Sequence, residues 1–467
     1  MISRRQIFQV LGAAALAGKA RAAAPAISPS HRTLGRTGRW VTPFGLGGQA
    51  SLQFAGAVPD ASDHVVRAIE LGVNYLDTAN AYGPSQSFYG QAMWKLRLTP
   101  GHPDYDAAGR ESLYIASKTG QRYAFDRSRP TAATAVSELK RSLAVMFGDG
   151  QNWIPDGAYL DAIQIHNLTT LQQVDQIYEG LDSRGGKMPD RIGALAGLLD
   201  YRDGTNHTGL NPEQRRFVRH IGISGHQSSQ VLMNAIQRDE LNILDTMLVA
   251  LNANDRRYFS HQYNAIPLAR AKGMGIIAMK IFSAGGIYTG TPRQPREASE
   301  LIMTVSSPGA VDSADLIRYP ASIPGVSVVI AGIGRIDRER PENDQLAYNL
   351  TAAVLDPASE AGRRRIEDAV ADRHGTTTNY FQDNARGLIH PPASRLDRDG
   401  DRVWVRWTTG YAAGEPIRSY KIYSGDSLRA WVPFRPQLTT VPVSLPLAAE
   451  LFGDAVRVEA STELPPW

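Results

Sequence analysis

Eight short apolar segments, each followed by residues of helical period or by a long connection, limit what this chain can fold into. The segments are 44–48, 75–77, 113–118, 161–166, 219–225, 246–251, 275–280 and 327–332. Helical patterns occupy 61–71, 131–147, 171–184, 228–238, 259–272 and 342–353, with Pro130 near the start of the second. Strand–helix alternation of this kind describes an α/β chain with a parallel sheet and helices outside it. Eight units point to a closed barrel. A doubly wound open sheet is the alternative. Its dinucleotide-binding form needs a Gly-x-Gly-x-x-Gly helix start after the first strand, and none is present. Residues 31–42, turning at Leu34-Gly35-Arg36-Thr37-Gly38, read as a hairpin ahead of the barrel. Segments 184–216 and 285–324 are longer than a plain barrel needs, so they are expected to cap its working face.

A chain of 467 residues is too long for one ordinary core. The barrel unit is expected over 30–375, ending in a helical stretch from 358 to 374. Residues 376–392, from Thr376-Thr377-Thr378 to His390-Pro391-Pro392, read as a linker. Beyond it the pattern changes to alternation, as in Arg402-Val403-Trp404-Val405-Arg406-Trp407 and Ile417-Arg418-Ser419-Tyr420-Lys421-Ile422-Tyr423. Further β segments fall at 430–434, 441–445 and 455–459. Turns are expected at Asp399-Gly400 and Gly425-Asp426. Residues 393–467 thus read as a small all-β sandwich. With its leading prolines, Trp407 in the core and Pro416-Ile417 ahead of a Tyr-bearing strand, it resembles a fibronectin type III domain. The stretch after Glu459 is short for a final strand. Such a module is a place for protein or glycan contact.

Residues 1–24 carry Arg4-Arg5, an apolar run from Val10 to Gly18 and Ala20-Arg21-Ala22. This is the order of an export signal, and the paired arginines resemble the twin-arginine type. The expected destination is the periplasm. No later stretch reaches the roughly 20 apolar residues of a transmembrane helix. With no cysteine, disulfides, thiolate metal sites and cysteine nucleophiles are excluded. A net charge of +4 without a long basic run argues against a nucleic-acid partner. No metal site is expected.

Four titratable residues fall at or just past successive strand ends: Asp77, Tyr82, Lys118 and His166. Singly, each has an ordinary reading, Lys118 as a surface lysine and His166 as a hydrogen-bonded strand-end histidine. In a barrel these ends are neighbours on one rim. A phenol titrates near 10, too high for an efficient acid at neutral pH, and a nearby ammonium lowers it. A carboxylate holds that ammonium in place. A histidine can hydrogen-bond and orient a carbonyl oxygen. Together the four describe proton delivery for carbonyl reduction.

The motifs carry a resemblance. Gly72-Val73-Asn74-Tyr75-Leu76-Asp77-Thr78-Ala79 with Tyr82-Gly83, Ser117-Lys118-Thr119-Gly120, Ile165-His166-Asn167, Gly222-Ile223-Ser224, and Gly332 with Glu342-Asn343 resemble the aldo-keto reductase family, in its order, over about residues 32–353. The resemblance implies a (β/α)8 TIM barrel that reduces small aldehydes and ketones with a nicotinamide cofactor. Asp77, Tyr82, Lys118 and His166 match its catalytic tetrad, with Tyr82 as general acid. Asn167 and Ser224 match residues holding the nicotinamide carboxamide. Gly225 stands where many members have Asn, a contact His226 can supply instead. Met279 replaces a ring-stacking tyrosine, and Lys280 and Phe282 are expected near the pyrophosphate. Gly332, Arg335, Glu342 and Asn343 match the adenosine-phosphate end. Glu339 stands where NADPH users often carry Arg, with Arg335, Arg338 or Arg340 as substitutes. The cofactor reading leans to NADP (NADPH) over NAD. The competing reading is an exported barrel that serves as a binding or scaffold protein.

Overall fold

A strand buried on both faces reads as a short continuous apolar run, and eight such strands here form one parallel sheet closed on itself. The computed structural model describes residues 31–54, 56, 58, 60–119, 130–181, 191–254, 261–289, 311–340, 343–374, 388–389, 391, 394–407, 411–412, 416–434, 443–453 and 455–466. Residues 1–24, read as an export signal, lie outside the described residues, as do Glu342 and most of the expected linker.

A two-stranded antiparallel hairpin comes first, β1 (Arg32–Thr33) with β2 (Trp40–Val41). The barrel strands follow: β3 (Phe44–Gly47), β4 (Tyr75–Asp77), β5 (Tyr114–Thr119), β6 (Leu160–Ile165), β7 (Val218–Gly225), β8 (Leu244–Ala250), β9 (Gly275–Met279) and β10 (Val326–Ala331). Each pairs with the next, and β10 pairs with β3 to close the ring. The expected (β/α)8 TIM barrel is therefore the observed fold. The helices start where the sequence supplies caps. Asp60 accepts from the Asp63 N–H ahead of Ala61–Glu70, and Thr131 from Thr134 ahead of Ala132–Phe147. Thr170 and Gln173 form a reciprocal capping box on Leu171–Tyr178.

Within the two long segments, the described helices Ala194–Asp203 and Ser313–Ala321 pack in the barrel's outer layer, while residues 182–190 and 290–310 lie outside the described residues. Gly197 lets the first approach Ala132 and Val136 of helix Ala132–Phe147. The first buries eight of its ten residues, so it lacks the polar face that would have revealed its period.

The barrel lumen has a polar layer. Gln164 on β6 lies in register with Lys118 on β5 and with Gly222 on β7, and Gly222 pairs with Thr246 on β8. Gln164 and Thr246 are fully buried. A Cβ at Gly222 would stand 2.2 Å from Thr246 Oγ1 and 3.2 Å from Gln164 Cγ, so glycine makes room for both.

The hairpin plugs the opposite end. Arg36 Nε donates to Asp245 at 3.0 Å, and an Arg36 terminal nitrogen donates to the Lys272 carbonyl at 2.9 Å. Arg32 donates to the Ala321 carbonyl at 2.8 Å. Gly35 has a positive φ of 50°, and a Cβ there would lie 2.2 Å from the Gly275 nitrogen. Among the described residues, no helix is long and apolar enough to cross a membrane.

The C-terminal region forms two three-stranded antiparallel sheets, β12 (Ser394–Asp399), β13 (Arg402–Trp407) and β17 (Val443–Ala448), and β15 (Ser419–Ser424), β16 (Ser427–Pro433) and β18 (Val456–Ser461). A short ladder pairs β11 (Leu388–Ile389), in the stretch read as linker, with β14 (Tyr411–Ala412). Trp407 and Tyr420 meet edge to face at 5.5 Å in a core shared with Val403, Ile422 and Val458. Tyr263, from the barrel part of the chain, packs against that core. Gly400 and Gly425 take φ of 61° and 56°, as the two expected turns require.

The floor makes a stability prediction. Gly35→Ala combines a strained φ with a backbone clash, so it should cost at least about 2 kcal/mol. Chemical denaturation of the variant beside the native protein checks this; an unchanged midpoint would contradict the packing.

Candidate active site

The four predicted catalytic residues come together because β4, β5 and β6 are consecutive in the ring. Asp77 is the last residue of β4, Lys118 the fifth of β5, and His166 follows β6. Tyr82 sits in the turn ahead of helix Ser85–Lys95. The Lys118 ammonium donates to Asp77 Oδ1 and, at 2.8 Å, to the Thr78 carbonyl. It also lies 4.8 Å from the centre of the Tyr82 ring, close enough for each group to shift the other's titration. The rings of Tyr82 and His166 meet edge to face at 5.7 Å. Lys118 is 1%, Asp77 2% and Tyr82 7% exposed, so their mutual interactions are little screened.

Burial dominates the protonation states. It works against the Lys118 ammonium, but Asp77 and Tyr82 outweigh it and hold the group above its ordinary value. Burial lifts the Asp77 carboxyl against the pull of Lys118. Tyr82 differs from the sequence expectation. Burial raises its hydroxyl, and the Lys118 ammonium only partly offsets that. The phenol is therefore held protonated, as a proton donor must be. Burial, then Lys118 and Lys280, push His166 down to about 3, leaving a neutral imidazole at physiological pH.

The cofactor candidates line the same mouth. The Asn167 N–H donates to Ser224 Oγ at 2.8 Å, and Ser224 donates to the Ile165 carbonyl at 3.2 Å. His226 Nδ1 meets Asn167 Oδ1 at 2.8 Å, so an Nδ1–H there leaves the Asn167 amide N–H groups directed elsewhere. Behind it, His261 bonds the His226 carbonyl at 3.2 Å and Ser229 Oγ at 2.8 Å. Met279 ends β9, buried among the lumen side chains. Lys280 donates to Gln49 Oε1 across the rim, and Phe282 packs on Tyr288 at 5.6 Å. A Cβ at Gly332 would lie 2.9 Å from the Gln49 carbonyl, so backbone comes close there. Arg335 is half exposed, with Asp337 at 3.9 Å. Arg338 is engaged by Asp63 at 2.9 Å and Glu70 at 3.1 Å, so a phosphate there would compete with two carboxylates. The Asn343 N–H caps the turn at Arg340, while Glu342 is outside the described residues.

Two contributors escaped the sequence reading. Asn80, between Asp77 and Tyr82, donates to the carbonyls of Lys118 at 3.2 Å and Glu138 at 3.0 Å and to Ser142 Oγ at 2.9 Å, pinning the catalytic turn. Its place inside the motif was the available signal. Ser283 follows Lys280 in a loop where Lys280, Ser283 and Ala284 all take positive φ, 57°, 50° and 49°. Non-glycine residues so strained cluster at functional sites. The Ser283 hydroxyl is buried and, among the described residues, without a hydrogen-bond partner. A buried hydroxyl and a lysine in one strained loop fit the phosphates of a dinucleotide.

The fold is thus a (β/α)8 barrel with Asp77, Tyr82, Lys118 and His166 gathered at one rim. The model of the Aldo/keto reductase family matches residues 45–353, and the chain belongs to that family of oxidoreductases. It is 23% identical to the D-arabinose 1-dehydrogenase of Saccharomyces cerevisiae over 323 residues, 64% of this chain and 83% of that one. Among solved structures, an aldo-keto reductase from Bacillus halodurans in its holo form is 19% identical with a TM-score of 0.46. The match covers 74% of this chain and 99% of that one. An aldo/keto reductase from Klebsiella pneumoniae in complex with NADP and acetate is 16% identical with a TM-score of 0.47, covering 77% and 100%.

Lys280 gives the mouth a pH dependence. Burial first, then Lys118, lower its ammonium to about 8 against the opposing pull of Asp77. The cation is present below that pH and lost above it. Dinucleotide affinity should fall as pH rises from about 7 to 9, and Lys280→Met should flatten the slope. A native protein whose affinity is level across that range would refute the role.

Proposed function

We propose that the chain is an NADPH-dependent reductase of aldehyde and ketone carbonyls. The observation that carries the reading is the buried Lys118 ammonium on Asp77, 4.8 Å from the Tyr82 ring, with a neutral His166 edge to face with that ring. When bound, the nicotinamide supplies the hydride. Neutral His166 donates an N–H to the carbonyl oxygen and orients it. Tyr82 gives its proton to that oxygen. Lys118 stabilises the phenolate left behind, and Asp77 keeps Lys118 charged and in place. Asn167 and Ser224 hold the carboxamide, with His226 fixing the Asn167 amide. Lys280 and Ser283 take the pyrophosphate. Arg335 and Arg340, both exposed and sharing Asp337, are the cations for a 2′-phosphate, which favours NADPH over NADH. The relative's name adds pentoses to the carbonyls to be tried.

Tyr82→Phe keeps the ring and removes the proton. Turnover should fall roughly 10²- to 10⁴-fold with the fold intact. Cofactor oxidation with NADPH and with NADH, against aldehydes, ketones, quinones and keto sugars, measures it. Unchanged turnover in the variant would end the mechanism.

We also propose that residues 1–24 direct export of the folded, cofactor-loaded protein to the periplasm. The C-terminal sheets are read as a fibronectin type III-like module for protein or glycan contact. Support is the Arg4-Arg5 pair ahead of a short apolar run, and the paired sheets around Trp407. Arg4→Lys with Arg5→Lys should strand the protein in the cytoplasm, as cell fractionation would show. Normal export of that variant would count against the signal.

A further inference from the structure

At the end of the barrel away from the tetrad, a cleft of about 520 Å³ opens beside the starts of β6 and β7. Tyr159 precedes β6 and Arg219 is the second residue of β7, whereas His166 and His226 follow the other ends of the same strands. Six residues of β6 separate the two ends by about 20 Å. The cleft belongs to the floor, not to the catalytic mouth.

Its lining is cationic. Arg202, Arg215, Arg216 and Arg219 face it with Tyr159 and Phe217, and among the described residues no carboxylate lines it. We propose that this cleft is a second binding site, for a compact multivalent oxyanion of the condensed-phosphate type.

The arginines are set for such a ligand in different ways. Arg219 is fixed, with both terminal nitrogens 2.7 Å from Glu111 and its guanidinium 3.9 Å from the centre of the Tyr159 ring. It contributes field rather than new hydrogen bonds. Arg202 uses Nε and one terminal nitrogen on Asp203, leaving the other terminal nitrogen. Arg215 meets Asp156 at 2.6 Å and Glu213 at 3.6 Å. Those three acids are 40%, 87% and 76% exposed, and exposed pairs of this kind hold weakly. An incoming oxyanion can compete with them. Arg216 is exposed and, among the described residues, has no carboxylate within ion-pair distance. Guanidinium groups from two chain segments can therefore bind phosphate oxygens in pairs.

The aromatic rings narrow the ligand class. Arg110 lies 4.0 Å from the Tyr159 ring centre opposite Arg219, and Phe217 stacks on Tyr201 at 5.3 Å. Both rings are already engaged, so a flat base or sugar has little to stack on. Several charges in a small volume are what remains to be recognised.

Titration calorimetry on the full chain, with tripolyphosphate as probe, tests the site. Tripolyphosphate should bind at one equivalent and at least about tenfold more tightly than inorganic phosphate, and Arg216→Gln should weaken it about tenfold. Saturating NADPH should leave this binding unchanged, and carbonyl turnover by Arg216→Gln should match that of the native protein. Absence of binding would overturn the proposal. So would binding indifferent to both Arg216→Gln and Arg215→Gln, or binding abolished by NADPH, which places the probe at the mouth. Citrate binding as tightly as tripolyphosphate would overturn the phosphate assignment.

Discussion

The buried contact between Lys118 and Asp77 organises the rest of this molecule. Two charges brought out of water are costly, and their attraction repays that only with good geometry and further hydrogen bonds. Both conditions are met. The Thr78 carbonyl accepts from the same ammonium and the Tyr82 ring lies beside it, and Asn80 ties the Lys118 carbonyl to helix Ala132–Phe147. Because the pair joins adjacent strand ends, the barrel holds the catalytic turn and the turn holds the phenol. Loss of either partner would strand a buried charge, at about 3–5 kcal/mol.

Much of this was legible before any coordinates. Strands buried on both faces leave unbroken apolar runs, so all eight could be read. The four candidates were legible because each stands at or shortly past the end of such a run. What stayed hidden shares a physical cause: it depends on surroundings that sequence spacing does not encode. Helix Ala194–Asp203 is enclosed nearly all round and shows no amphipathic period. The Tyr82 hydroxyl has a cation beside it, as expected, yet burial outweighs that cation. Ser283 looks like any loop serine until its hydroxyl is seen buried in a strained turn. Arg338 was a candidate phosphate ligand by position, and Asp63 and Glu70 from a distant helix engage it.

The two ends of the barrel are built on different plans. At the mouth, charge is buried, and burial holds the histidines neutral and the Tyr82 phenol protonated. At the floor, the hairpin of β1 and β2 seals the lumen with backbone contacts and arginines reach outward. A parallel barrel separates its ends by the length of its strands, so chemistry at one can evolve with little regard to packing at the other.

Gln164 lies in register with Lys118, and it and Thr246 take the space that Gly222 vacates. The lumen beside the four rim side chains thus carries polar groups at a level where most barrels are filled with branched hydrocarbon. Anyone grafting these four side chains onto another cylinder would have to transplant that polar tier as well. Set in a greasy lumen, the same quartet would titrate differently and lose its poise.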